Sequence, residues 1–187
     1  MSNAEIGSML NEALQLCEAG ALVEAEQLCR QIVAHDADVP DAWNMLAAVL
    51  YQQGQLDEAA AAAERATLMR PAIPPYWLTR GNIAMAHNRN REAQSSFGRA
   101  LELDPAFAEA HYRLALSHHR DDRVADAIAG YRRALQLAPD IAEIHFQLAE
   151  ALAADARCDE AVHAYQRAFA RDAQGMFDRR EIGRAHV

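Results

Sequence analysis

The stretch EAQSSFGRALELDP, from Glu92 to Pro105, returns as DAIAGYRRALQLAP, from Asp126 to Pro139, thirty-four residues further on. A fixed period of that length constrains a fold strongly, because each unit must offer its neighbour the same surface. Cut from Ile6, the chain divides without insertion or deletion into blocks that start at Ile6, Pro40, Pro74, Ala108 and Ala142. The eighth place is always small: Ala13, Ala47, Gly81, Ala115, Ala149. The twentieth is always alanine: Ala25, Ala59, Ala93, Ala127, Ala161. The fourth holds Met9, Trp43, Trp77, His111 and His145, and the thirty-second Ala37, Pro71, Pro105, Pro139 and Ala173.

Each block reads as two helices. In the second block Trp43, Leu46 and Leu50 recur at helical spacing, and after a polar turn Leu56, Ala59, Ala63 and Ala66 share one face. Gly54 suits the positive φ that follows a helix end, and Pro71 blocks continuation of the second helix. Hydrophobic residues make up 51% of the chain but aromatics only 6%, and much of the difference is alanine, the best helix former. The expected fold class is therefore all-α.

The pattern resembles the tetratricopeptide repeat. Trp77, Gly81, Ala93, Phe97, Ala100 and Pro105 stand in register in the third block, and Leu114, Ala115, Ala127, Tyr131, Ala134 and Pro139 in the fourth. The resemblance implies a right-handed α-solenoid superhelix of five helix-turn-helix units, at 6–39, 40–73, 74–107, 108–141 and 142–175. Residues 1–5 are expected as an N-terminal tail and 176–187 as a C-terminal tail or truncated helix. The first block departs at Met9 and Glu12, and the last lacks the proline. Arg80 stands where leucine is expected, and nothing in the sequence accounts for it.

By the same resemblance the first helices line a concave groove that holds a peptide or a partner helix. The residues placed there are Asn44, Ala48 and Tyr51; Leu78, Asn82 and Met85; Tyr112, Leu116 and His119; and Phe146, Glu150 and Ala153. Asparagine can pair with a peptide backbone through both donor and acceptor. Glu109 and Glu143 fall where a carboxylate-clamping relative would need basic groups, and Asn82 and Arg113 match only in part. Recognition of a chaperone's C-terminal tail is therefore rejected.

The net charge of -9 argues against nucleic acid as a partner; all 18 cationic side chains are arginine. Cys17, Cys29 and Cys158 show no CxxC spacing, and His111, His118, His119 and His145 form no metal motif. No phosphate-binding, dinucleotide-binding or serine-nucleophile motif occurs. The reading is no catalytic residue, no metal and no cofactor. With no basic-then-apolar leader and no apolar run of about 20 residues, the chain is expected to be cytoplasmic and off the membrane. Two functions stay open: a non-catalytic protein-interaction scaffold, with homodimerisation left open, or the N-terminal recruiting or dimerising segment of a larger methyltransferase, sulfotransferase or glycosyltransferase. Residues 181–187, EIGRAHV, look like translated sequencing adapter, so the natural chain is expected to continue beyond Arg180.

Overall fold

The computed structural model describes residues 2–172. The end of the expected fifth unit at 175, the tail 176–187 and EIGRAHV lie outside the described residues. The chain forms two compact units that meet in sequence at Leu103 and Asp104. The first holds α1 (Asn3–Glu18), α2 (Leu22–His35), α3 (Pro40–Gln52), α4 (Leu56–Met69), α5 (Pro74–Ala86) and α6 (Asn90–Leu103). The second holds α7 (Ala108–Arg120), α8 (Val124–Leu137), α9 (Ala142–Ala154) and α10 (Cys158–Arg171). Among the described residues there is no strand.

Helix starts follow local chemistry. Pro40 and Pro74 open α3 and α5, where the missing N–H is one the helix would leave unbonded anyway. Of the expected tail over residues 1–5, residues 3–5 are already helix. Ser2 caps α1, its Oγ accepting from the Glu5 N–H at 3.3 Å, while the Ser2 N–H donates to Glu5 Oε2 at 2.6 Å. That reciprocal box satisfies two donors at once and starts the helix at Asn3.

Every turn inside a pair reverses through one left-handed residue at the same place in the period: Gly20, Gly54, Asn88, Asp122 and Ala156. The next N–H then closes back on the helix, as from Gln55 to the Leu50 carbonyl and from Arg157 to the Leu152 carbonyl, both at 2.9 Å.

In the first unit each helix packs on the next in sequence, and α3 also touches α1 and α5. In the second, α9 packs on α8 and α10 and touches α7. The small columns lie at these contacts: Ala13, Ala47, Ala59, Ala93, Ala115, Ala127, Ala149 and Ala161 are all buried. Gly81 shows the tolerance. A Cβ there would stand 2.4 Å from Phe97 Cε1, so the glycine is what admits the buried ring.

Candidate functional site

The first-helix residues expected to bind a partner are not equally available. In the first unit Leu78 and Met85 are only 9% and 5% exposed. So little exposed surface leaves these two little to offer a ligand in this structure. Asn44, Ala48, Tyr51 and Asn82 remain partly exposed, and Tyr51 packs against the buried cluster of α3 and α4. The Oδ1 atoms of Asn44 and Asn82 are both buried without a hydrogen-bond partner.

In the second unit Tyr112, Leu116, Phe146 and Ala153 lie against the core, half-buried. Tyr112 and Tyr131 rings stand 6.1 Å apart, His119 meets Tyr131 edge-on at 6.2 Å, and Phe146 meets Tyr165 edge-on at 5.5 Å. The hydroxyl of Tyr165 donates to Glu150, and that of Tyr112 to Glu143 at 3.4 Å. Burial, with Glu143 beside it, pushes the Tyr112 phenol up to about 12. Arg113 pairs with Glu109 at 3.3 Å and lies over the Tyr112 ring at 5.3 Å. This aromatic face thus has its charges satisfied internally.

In four of the five blocks the fourth place has one structural job. Trp43 Nε1–H donates to the Ala37 carbonyl at 2.9 Å, and Trp77 Nε1–H to the Pro71 carbonyl at 2.8 Å. His111 and His145 put Nε2 against the carbonyls of Pro105 and Pro139 at 3.0 and 2.8 Å. A carbonyl only accepts, so both histidines carry the proton on Nε2 and mimic an indole N–H. His145 is left with a buried Nδ1 that has no partner. Burial, and then Arg171 and Arg167, hold its imidazole below the ordinary range, against the pull of the Pro139 carbonyl and Asp140.

Sequence reasoning missed a groove that recurs on the opposite helices. In the first unit it runs between α2 and α4 over α3. It is lined by Arg30, Trp43, Leu46, Leu50, Glu58 and Arg65 among others, with a volume of about 500 Å³. Arg30 reaches across it to Glu58 at 2.7 Å. Three periods later it runs between α8 and α10 over α9, with a volume of about 660 Å³, and Arg132 reaches across to Glu160 at 2.6 Å. The signal was present: arginine at the twenty-fifth place of one block and glutamate at the nineteenth of the next.

The groove over α5 explains Arg80. Its two walls carry Glu64 and Glu92 at the places that hold the Arg30–Glu58 pair one period earlier. Two carboxylates there would repel. Arg80, on the floor, brings a cation to them, as Arg89 does at 3.8 Å from Glu92: Arg80 lies 3.5 Å from Glu92, donates to Thr67 Oγ1 at 3.5 Å, and covers the Trp77 ring at 5.6 Å.

Among the described residues no group of three or more His, Cys, Asp or Glu is placed to hold a metal. No described helix is long and apolar enough to cross a membrane.

Two family models described as tetratricopeptide repeat match residues 16–83 and 78–142. The TPR repeat-containing thioredoxin TTL4 of Arabidopsis thaliana is 37% identical over 67 residues, covering 36% of this chain; the chain spans 10% of that protein's length. The structure of TTC0263, a thermophilic TPR protein of Thermus thermophilus, superposes with a TM-score of 0.81 at 21% identity, covering 96% of this chain and 98% of that one. YrrB, a TPR protein with an unusual peptide-binding site, superposes at 0.68 with 16% identity over 90% of this chain and 87% of its own. These likenesses show an α-solenoid fold.

Proposed function

The chain belongs to the tetratricopeptide repeat family, and on that footing we propose that it is a protein-interaction scaffold with no chemistry of its own. It binds a peptide or partner helix on the face presented by the first helices of its pairs. The observation that carries this reading is the pair of unpartnered amide oxygens on α3 and α5, at Asn44 and Asn82. A buried acceptor left unbonded costs on the order of 1–3 kcal/mol, and a peptide N–H relieves it. Tyr51 in the first unit, and Tyr112 and Phe146 in the second, offer apolar anchors beside polar groups, the composition that peptide-binding surfaces favour. YrrB, of the same fold, is described by its peptide-binding site.

The test is a peptide selected from a displayed library against the whole chain. Replacing Asn44 and Asn82 together by Leu should weaken that peptide about tenfold while the helical circular dichroism stays unchanged. Equal affinity in the double variant would exclude this face as the site.

The name of TTL4, which sets repeats and a thioredoxin in one protein, favours a second reading. Here the chain is the recruiting or dimerising arm of a larger methyltransferase, sulfotransferase or glycosyltransferase. Residues 1–180 and the longer genomic product, assayed side by side with the three donor classes, separate the two. Turnover by the long form alone supports the arm; turnover by neither supports the scaffold.

A further inference from the structure

The groove over α9 is cationic in a protein whose net charge is -9. Arg132, Arg167 and Arg171 line it, with Glu160 as the one carboxylate among its lining residues. Glu160 is already shared between Arg132 and Arg157 at 2.6 and 2.7 Å. Among the described residues, the carboxylate that Arg171 reaches is Asp140, 84% exposed, at 3.1 Å, and its Nη1 also donates to the Arg167 carbonyl at 3.5 Å. Arg167 has no carboxylate partner among the described residues. The floor is apolar, formed by Leu148 and Leu152, and beside them lies His145, 4% exposed, with its unpartnered Nδ1. Because Nε2–H is committed to the Pro139 carbonyl, Nδ1 is a lone pair waiting for a donor. A volume near 660 Å³ falls within the 300–1,000 Å³ typical of ligand sites.

We propose that this groove is a second binding site, separate from the first-helix face, and that its occupant is an acidic peptide segment. A carboxylate side chain pairs with Arg167 and Arg171, a backbone N–H donates to His145 Nδ1, and an apolar side chain covers Leu148 and Leu152. A peptide brings all three groups in one short stretch, and the groove is open along α8 and α10. Arginine suits the task because its planar fork meets a carboxylate through two hydrogen bonds. The site is distinct from its counterpart over α3, where Trp43 fills the floor and Met69 and Ala61 stand where Arg171 and His163 stand here.

The experiment titrates the acetylated, amidated tetrapeptide Leu-Glu-Glu-Leu into the isotope-labelled full chain and follows amide and imidazole resonances. Saturable shifts at Leu148, Ala164, Arg167 and the His145 ring are expected, with Leu-Gln-Gln-Leu at least about tenfold weaker. Arg167→Gln with Arg171→Gln, both on the surface side of α10, should weaken the acidic peptide by a similar factor. His145→Trp tests the floor without unfolding it: the indole N–H can keep the bond to the Pro139 carbonyl, as Trp43 and Trp77 do with Ala37 and Pro71, while the Nδ1 acceptor is removed and the floor is raised. That variant should melt normally and lose the shifts. Equal shifts from the Gln peptide, shifts that survive His145→Trp, or no shift at millimolar peptide would each overturn the assignment.

Discussion

The groove over α3 is floored by Trp43, and the groove over α9, three periods along, by His145. Both rings hand one N–H to the carbonyl six residues back, at 2.9 and 2.8 Å. Both grooves are bridged by an arginine–glutamate pair, at 2.7 and 2.6 Å. The frame is the same and the contents differ. The indole fills the first floor and has no further polar atom to satisfy. The imidazole is smaller, keeps a second nitrogen, and faces Arg167 and Arg171. A repeat can therefore hold its fold with one atom of a side chain and use the rest of that side chain for something else.

Truncation should separate the two roles most sharply. Trp43→Ala removes a large packed ring and the N–H bond, and should cost about 3 kcal/mol. His145→Ala removes less apolar surface and one hydrogen bond, and should cost about 1–2 kcal/mol. Urea unfolding of the two variants checks the order; an equal loss would mean that the carbonyl lock, not the ring volume, carries the stability at this place.

The turns of the same two pairs offer a second contrast. Gly54 and Ala156 share the left-handed place, with φ of 78° and 58°. Glycine adopts this region at no steric cost and alanine does not. Ala156→Gly should raise stability by about 0.5–1 kcal/mol, and Gly54→Ala should lower it by about 1 kcal/mol. Thermal melting of both decides it, and a destabilised Ala156→Gly would show that the turn needs its Cβ.

Acid should expose the difference between the floors as well. His145 and His118 are held below the ordinary 6.5, in both cases by burial first. Arg171 and Arg167 then add to the effect at His145 against Asp140, and Arg123 at His118 against Asp126 and Asp121. Between the ordinary and the folded value the unfolded chain binds more protons, so this contribution is complete above 6.5 and is lost as the pH falls through the folded values. Trp43 cannot titrate. His145→Trp should therefore lose less stability than the parent between about pH 7.5 and about pH 5.5, measured by urea midpoint. An identical pH dependence would remove His145 from the account.

The smallest effect belongs to the cross-groove pairs. Arg30, Glu58, Arg132 and Glu160 are about half exposed, so Arg30→Gln and Arg132→Gln should each cost no more than about 0.5 kcal/mol. A much larger loss at Arg132 alone would show that its pair orders the second groove.

Much of this molecule is legible before it folds. The helix starts at Pro40 and Pro74 and the reversal at Gly54 rest on single-residue backbone preferences. The capping box of Ser2 and Glu5 is equally local, but it lies outside the period and so outside what the repeat predicts. The candidate site is legible only in part. Asn44, Asn82, Tyr112 and Phe146 do remain partly exposed, but Leu78 and Met85, placed on the same face by spacing, are buried. Helical spacing gives the direction of a side chain, whereas its exposure depends on how closely the neighbouring helices approach.

What the sequence by itself determined is the period, the helix pairs, their turns and the columns of small residues. These follow from interactions within a few residues and from packing that each unit must repeat. Only the tertiary structure decided that Glu64 and Glu92 line one groove over α5, with Arg80 on its floor. It alone left His145 Nδ1 without a partner beside Arg167 and Arg171. Those outcomes depend on groups some twenty or thirty residues apart meeting across a groove, and charge and hydrogen-bond satisfaction are set by the distances at which such groups meet.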